Sequence, residues 1–237
     1  MKISKKILGL CAIAALGIAS QAQAVLLDDF NRPDGTNMGP QWNEVSADFQ
    51  IVGGQAQGSG LGSMIYQGAT SNSVSVDVFK INSGAEDFAA LVLGFANTTN
   101  SLYLKVQNQN GQANFESVGF YFGDNGNNNG AWSESFFSSD LLNPFASARL
   151  TASLVGNVVS LMIDTNFDGN PEQTISRGSV PLAQLGTGIG LGGWTGNGAS
   201  VDNFSIPGGE EVPEPATLAL MGLGLAGLGL ARRKKQA

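Results

Sequence analysis

Histidine is absent from all 237 residues, and the one cysteine is Cys11. The first absence removes the commonest general base and the commonest transition-metal ligand. Cys11 sits inside an N-terminal apolar segment that export would remove. A catalytic thiol, a thiolate zinc site and a disulfide scaffold are therefore excluded from the rest of the chain. Basic residues are scarce in the body as well. Residues 25–211 hold 5 Lys+Arg against 18 Asp+Glu, a net charge of −13. Such a surface argues against nucleic acid and anionic lipid as partners, and suits divalent cations or neutral polymers. Helical periodicity never lasts beyond one or two turns, and no internal repeat occurs.

What is present is glycine, 33 residues, with much Asn, Gln and Ser. This is the composition of many short strands joined by tight turns. Residues 74–81 (VSVDVFKI) alternate, with Val74, Val76 and Val78 on one face and Ser75, Asp77 and Phe79 on the other. That period of two predicts a strand with one buried face. Residues 88–95 (FAALVLGF) are uniformly apolar and predict a central strand. Further strands are expected at 48–52, 102–106, 115–122, 148–155, 158–163, 173–176, 189–194 and 201–206. Turn residues separate them: Asn82-Ser83-Gly84, Asn108-Gln109-Asn110-Gly111 and Gly169-Asn170-Pro171, with Gly156-Asn157 as a tight hairpin. Only 138–142 and 181–185 offer short helical turns. About a dozen short strands without helices predict an all-β, two-sheet antiparallel sandwich or barrel over residues 25–207.

Both ends carry different chemistry. Residues 1–24 have a basic start (Lys2, Lys5, Lys6), an apolar centre at 7–18 and small residues Ala22 and Ala24, the pattern of a signal peptide cut after Ala24. Residues 208–211 form a short acidic linker. Residues 212–215 read Val212-Pro213-Glu214-Pro215, followed by an apolar run at 216–231 and the basic cluster Arg232-Arg233-Lys234-Lys235. Pro215 suits the first turn of a helix, and Glu214 would lie at the positive end of its dipole. Sixteen residues would rise about 24 Å as a helix, short of the ~30 Å hydrocarbon core. The run is therefore a short transmembrane helix, and the basic cluster keeps the C-terminus in the cytoplasm.

The tail at 212–237 resembles the PEP-CTERM sorting signal of Gram-negative, exopolysaccharide-producing bacteria. The matching residues are Val212, Pro213, Glu214, Pro215, the Gly/Leu-rich run, Arg232, Arg233 and Lys234. The resemblance implies recognition by exosortase, a membrane enzyme that cuts near the motif. The protein would be anchored in the inner membrane transiently and then released or transferred to the cell surface or extracellular matrix. An ordinary tail anchor is the alternative.

The body opens with D-D-F-N-R (Asp28 to Arg32), has Trp42 about a dozen residues on, and closes with V-D-N-F-S-I (Val201 to Ile206). These ends resemble the concanavalin A/laminin-G type jelly roll. The resemblance implies that the first and last strands lie side by side, bringing Asp28 or Asp29 to Asp202 or Asn203. Carboxylates so placed repel unless a cation or a donor lies between them, so Asp28 and Asp202 form one candidate calcium pair, with Arg32 as the competing partner.

Asp164-Thr165-Asn166-Phe167-Asp168-Gly169 fits D-x-[DN]-x-[DN]-G, the start of a calcium loop. Asp164, Asn166 and Asp168 would supply oxygens, with Glu172 as an extra ligand. The twelfth position is Ile175 rather than Glu and flanking helices are missing, which excludes an EF-hand. A plain Asx-rich turn fits the same residues. Asn125, Asn127 and Asn128, followed by Trp132, pair amide groups for sugar hydroxyls with an aromatic face, and Trp194 in a Gly-rich stretch is similar. A flexible loop and core tryptophans are the alternative.

Catalysis finds no equipment. Jelly-roll glycosidases of this kind use E-x-D-x-x-E on one strand, and that pattern is absent. Serine lacks its usual base. The sequence therefore predicts a secreted, non-enzymatic β-sandwich protein of the extracellular polysaccharide or biofilm matrix. A lectin-like, calcium-dependent carbohydrate-binding module is the first alternative, and a polysaccharide hydrolase or lyase the second.

Overall fold

The computed structural model describes residues 24–208 apart from 47–48, 59–61, 82–87, 98, 109–111, 123–134, 181 and 195–198. Gln23–Gly209 forms one compact unit. Residues 1–23, where a signal peptide is expected, the apolar run at 216–231 and the basic end lie outside the described residues. Among the described residues no helix is long and apolar enough to cross a membrane.

Fifteen strands are described: β1 (Val25–Asp28), β2 (Trp42–Ser46), β3 (Phe49–Val52), β4 (Gln55–Gly58), β5 (Gly62–Tyr66), β6 (Ser73–Lys80), β7 (Phe88–Asn97), β8 (Asn100–Gln107), β9 (Phe115–Phe122), β10 (Ser135–Phe145), β11 (Ser147–Val155), β12 (Val158–Asp164), β13 (Gln173–Arg177), β14 (Gly188–Trp194) and β15 (Ala199–Ile206). They pair into two antiparallel sheets that form a sandwich. One sheet runs β13-β12-β11-β6-β15-β4-β3, with β1 also paired to β15; the other runs β10-β9-β8-β7-β14-β5-β2.

Alternation builds the core. Val74, Val76 and Val78 of β6, Ala148, Leu150 and Ala152 of β11, and Val159, Leu161 and Ile163 of β12 are all buried on the inner face of one sheet. Leu91 and Leu93 of β7 with Leu102, Leu104 and Val106 of β8 cover them from the other sheet. Every second side chain points inward because successive residues of a strand face opposite ways.

The uniform apolarity of β7 has a separate cause. It is the fourth of seven strands, and its other face, Phe88, Ala90 and Val92, packs with Ile65 and Tyr103 in a second buried cluster. On the neighbouring β14, a Cβ at Gly190 would run into the Met64 carbonyl of β5, so the two backbones approach closely only because that residue is glycine.

Three features depart from the sequence expectation. β6 is buried on both faces at its centre: Ser75 and Asp77 are as enclosed as the valines, because β11 and β15 flank it and supply their partners. Residues 138–142 are strand rather than helical turn, since Ser138, Ser139 and Asp140 pair with Gly119, Val118 and Ser117 of β9. Tertiary pairing decides that segment. β4 and β5 were not anticipated, being short and rich in Gly, Gln and Ser. The expected helical turn at 181–185 is a single 3-10 turn, Leu182–Gln184. Gly156-Asn157 is the tip of the β11–β12 hairpin, with Gly156 at φ 58°.

Candidate functional site

The first and last strands lie side by side: Val25 pairs with Ile206, Leu26 with Ser205 and Asp28 with Phe204. At this seam the buried Asp28 carboxylate gathers four donors. Its Oδ1 accepts the Phe30 N–H at 2.8 Å. Its Oδ2 accepts Arg32 Nη2 at 2.6 Å, Trp42 Nε1 at 2.6 Å and Gln41 Nε2 at 3.1 Å. The Trp42 ring in turn packs on Phe30, Tyr66 and Phe204, with centroids 5.8, 5.2 and 5.0 Å away. Phe30 itself adopts φ 50°, a left-handed conformation rare for a bulky residue. Its complete burial and the Asp28 hydrogen bond hold it there.

One strand further in, Asp77 pairs across β6 with Arg149 of β11: Nε to Oδ1 at 2.7 Å and Nη2 to Oδ2 at 3.0 Å. Asn203 Nδ2 also donates to Asp77 Oδ2, at 2.9 Å. Asp202 stands opposite Asp77 in the β6–β15 pairing. Burial pushes the Asp202 carboxyl above the ordinary carboxylate range. The Asn203 N–H partly offsets this, and repulsion from Asp77, Asp29 and Asp28 adds to it. The seam thus brings Asp28 and Asp202 into one electrostatic neighbourhood. Each Asp28 oxygen is already taken by protein donors.

A raised native-state value means stability present at acid pH and lost as pH climbs through that value. Asp202→Asn is expected to melt about 1–2 °C above wild type near neutral pH, the gain fading towards about pH 3. Melting curves across pH check it; a gain that grows on acidification would reverse the sign.

The second constellation is the β12–β13 turn. Oxygens of Asp164, Asp168 and Glu172 lie within 4.8 Å of one another. Backbone amides hold the cluster: Gly169 N donates to Asp164 Oδ2 at 2.8 Å and Asp168 N to Asn166 Oδ1 at 3.0 Å. Glu172 Oε2 accepts from both the N–H and the hydroxyl of Thr165, at 2.6 and 3.0 Å. Phe167, at φ 61°, turns back over the sheet and stacks on Phe79 with centroids 6.4 Å apart, while the Arg149 guanidinium lies 5.8 Å from its ring centroid. The motif residues Asp164, Asn166 and Asp168 are therefore together, with Glu172 beside them.

Asn125, Asn127, Asn128 and Trp132 lie outside the described residues. Trp194 ends β14 opposite Phe88, and its side chain is not among those described. Val212, Pro213, Glu214, Pro215, Arg232, Arg233 and Lys234 are likewise outside. Sequence reasoning named Asn203 at the seam but missed its contact with Asp77 and the Asp77–Arg149 pair, which together join three separate strands. The alternating V-S-V-D-V run placed Asp77 correctly on the face away from the valines, but carried no sign of its partners.

The class that this architecture defines is the concanavalin A-like jelly-roll sandwich. Solved structures of the same shape include the CBM2 module of the evolved Dit protein of Lactobacillus casei BL23 phage J-1 (11% identity, TM-score 0.51, covering 81% of this chain and 98% of that one). The β-glucanase of Bacillus licheniformis is similar at 10% identity and TM-score 0.50, over 79% and 99% of the two chains. So is the exoplasmic/lumenal domain of VIP36 in its Ca2+/Man3GlcNAc-bound form, at 11% identity and TM-score 0.50, over 77% and 89%. At these identities the likeness is one of fold. No curated protein matches the chain in sequence. Residues 211–235 match the PEP-CTERM protein-sorting motif, so the chain carries that motif behind its sandwich.

Proposed function

We propose that the protein is exported, cut at both ends and delivered by an exosortase-type enzyme to the surface or extracellular matrix of a Gram-negative bacterium. There the sandwich is a non-enzymatic component of the polysaccharide matrix. The observation that carries this reading is the PEP-CTERM motif at residues 211–235, placed at the far end of a chain whose first 24 residues have the pattern of a leader. The missing histidine and the missing E-x-D-x-x-E pattern support a non-catalytic role. Removing residues 212–237 tests it. The truncated protein is expected to keep its melting temperature and to leave the surface and matrix fraction. Unchanged sorting of the truncated form would end the reading.

The second reading is carbohydrate binding, with calcium as a structural ion. It is favoured by the fold shared with a carbohydrate-binding module and with VIP36 in a Ca2+- and oligosaccharide-bound form. The calcium site of this reading is the turn, where Asp164, Asp168 and Glu172 converge. A hard cation there would add ligand oxygens from Asn166 or water. An ion that binds only the folded state must raise its melting point, by about 2.7 kcal/mol of stability at a hundredfold excess over Kd. Adding calcium is expected to raise the melting temperature, and chelator to lower it again. Superimposable curves would remove calcium from the account.

A further inference from the structure

Strand pairing fixes where the chain enters and leaves the sandwich. β15 and β11 both run antiparallel to β6, and Ser205, Ser75 and Thr151 stand level across the three strands. Past Ser205, β15 therefore continues in the direction in which β11 runs from Thr151 to its hairpin tip, Gly156-Asn157. β1 enters beside it, with Val25 opposite Ile206. Both ends of the body thus lie toward the end of the sandwich that holds the β11–β12 tip. Other connections meet there. The Val180 N–H donates to the Asn157 carbonyl at 3.1 Å, the Leu154 N–H to the Asn72 carbonyl at 2.8 Å and the Gly186 N–H to the Gly94 carbonyl at 2.9 Å.

The charge of this end is unlike that of the body. Residues 67–72, 97–100, 155–158, 178–187 and 207–208 read Q-G-A-T-S-N, N-T-T-N, V-G-N-V, G-S-V-P-L-A-Q-L-G-T and P-G, without a charged side chain. Arg177 stands at their border, where β13 ends. Asp124, Glu134, Glu210 and Glu211 fall outside the described residues. Asp77, Asp164 and Asp202 are level with Arg149, at the far side of the sheet. Arg149 precedes Val155 by six residues of β11, about 20 Å at ~3.3 Å per residue. That is about twice the ~10 Å over which 0.1 M salt screens exposed charges.

Apolar side chains take the place of charge at the tip. The outer face of β11 reads Ser147, Arg149, Thr151 and Ser153, then Val155; that of β12 begins with Val158 and continues with Ser160. Val155 and Val158 pair across the hairpin and are 76% and 39% exposed. Leu182, two residues beyond Val180, is 44% exposed. Packing within the sandwich does not account for them, since none is enclosed. Nine residues, 207–215, separate Ile206 from the apolar run, at most about 32 Å of extended chain, and the first of them run alongside the hairpin to its tip. A bilayer holding that run is tethered within reach of the tip.

We infer that, while the tail is uncut, this end of the sandwich rests on the bilayer, with Val155, Val158 and Leu182 in the headgroup layer. This contact presupposes the membrane-bound tail proposed above. The tether brings lipid to this end without a further partner. The uncharged loops also avoid the repulsion that a body of net charge −13 meets at anionic headgroups. Three small apolar side chains bury less than one myristoyl chain, itself only a marginal anchor, so cutting the tail releases the body.

The test takes the protein with its tail and without its leader, residues 25–237, in phosphatidylcholine vesicles. Those residues contain no cysteine, so Asn157→Cys at the tip and Asn170→Cys in the β12–β13 turn each accept one environment-sensitive fluorophore. Flotation with the vesicles reports tail insertion, and melting curves report folding. Spin-labelled lipid is expected to quench the tip label several-fold more than the label at position 170. Val155→Ser combined with Val158→Ser should bring the tip label down to the level of the other while flotation is unchanged. If the two labels are quenched alike, or the serine pair changes nothing, this end does not meet lipid, although the tail is still inserted. If the protein does not float, the tail is not membrane-bound and nothing holds this end to a bilayer.

Discussion

Asp28→Ala is expected to lower the melting temperature of the sandwich by roughly 6–20 °C. One substitution removes the acceptor for four donors at once: the Phe30 N–H, Arg32, Gln41 and Trp42. Asp28 is nearly fully buried and the Arg32 side chain is about three-quarters buried, so water replaces few of the lost bonds. Removing one partner of a buried ion pair costs about 3–5 kcal/mol, because the other is left enclosed without compensation. For a domain of this size each kcal/mol moves the midpoint by about 2–4 °C. The backbone makes matters worse, since Phe30 is held at a positive φ by the same carboxylate. Asp28→Asn keeps an acceptor for the Phe30 amide but turns an N–H2 group toward other donors, so it recovers only part of the loss. A midpoint within about 2 °C of wild type would show that the seam is not held by this carboxylate.

Replacing Pro213, Glu214 and Pro215 by alanine is expected to stop C-terminal processing while leaving the apolar run and basic end in place. The matched segment, residues 211–235, joins three chemically distinct parts, and the substitution alters only the first. If the tripeptide is what the processing enzyme reads, the uncut protein accumulates in the membrane fraction at the mass of the leader-less chain. If only hydrophobicity and positive charge matter, as for a simple tail anchor, wild-type and variant proteins fractionate alike and keep the same mass. Intact-mass measurement on both fractions separates the two. Truncating the whole tail cannot make this distinction, because it removes anchor and recognition element together.

Much of the sandwich was readable because strands such as β8 and β11 place an apolar residue at every second position. Ala148, Leu150 and Ala152, or Leu102, Leu104 and Val106, announce both strand and face. β10 was unreadable for a physical reason: S-F-F-S-S-D-L-L-N-P-F has no alternation and contains Pro144. A sheet edge tolerates such a sequence, since one side of the strand needs no partner. The acidic turn was legible because Asp164, Asn166 and Asp168 are local neighbours and their geometry follows from Asx chemistry. The Asp77–Arg149 pair spans 72 residues, and the Gln173–Asn143 stitch links strands of different sheets. Single residues in one sequence carry no record of partners that distant. The terminal motifs were the exception, since a resemblance to known jelly rolls predicted the adjacency of β1 and β15.

That adjacency also governs when the molecule can be finished. β1 is among the first parts of the body to be synthesised, and its hydrogen-bonding partner is β15, made last. Until residue 206 has arrived, Asp28 has no Phe204 beside it and Trp42 lacks one of its three aromatic neighbours. Closure of so long a loop is slow and comes late. On the export route proposed above, this order keeps the body open longest, since it locks only when its final strand is in place.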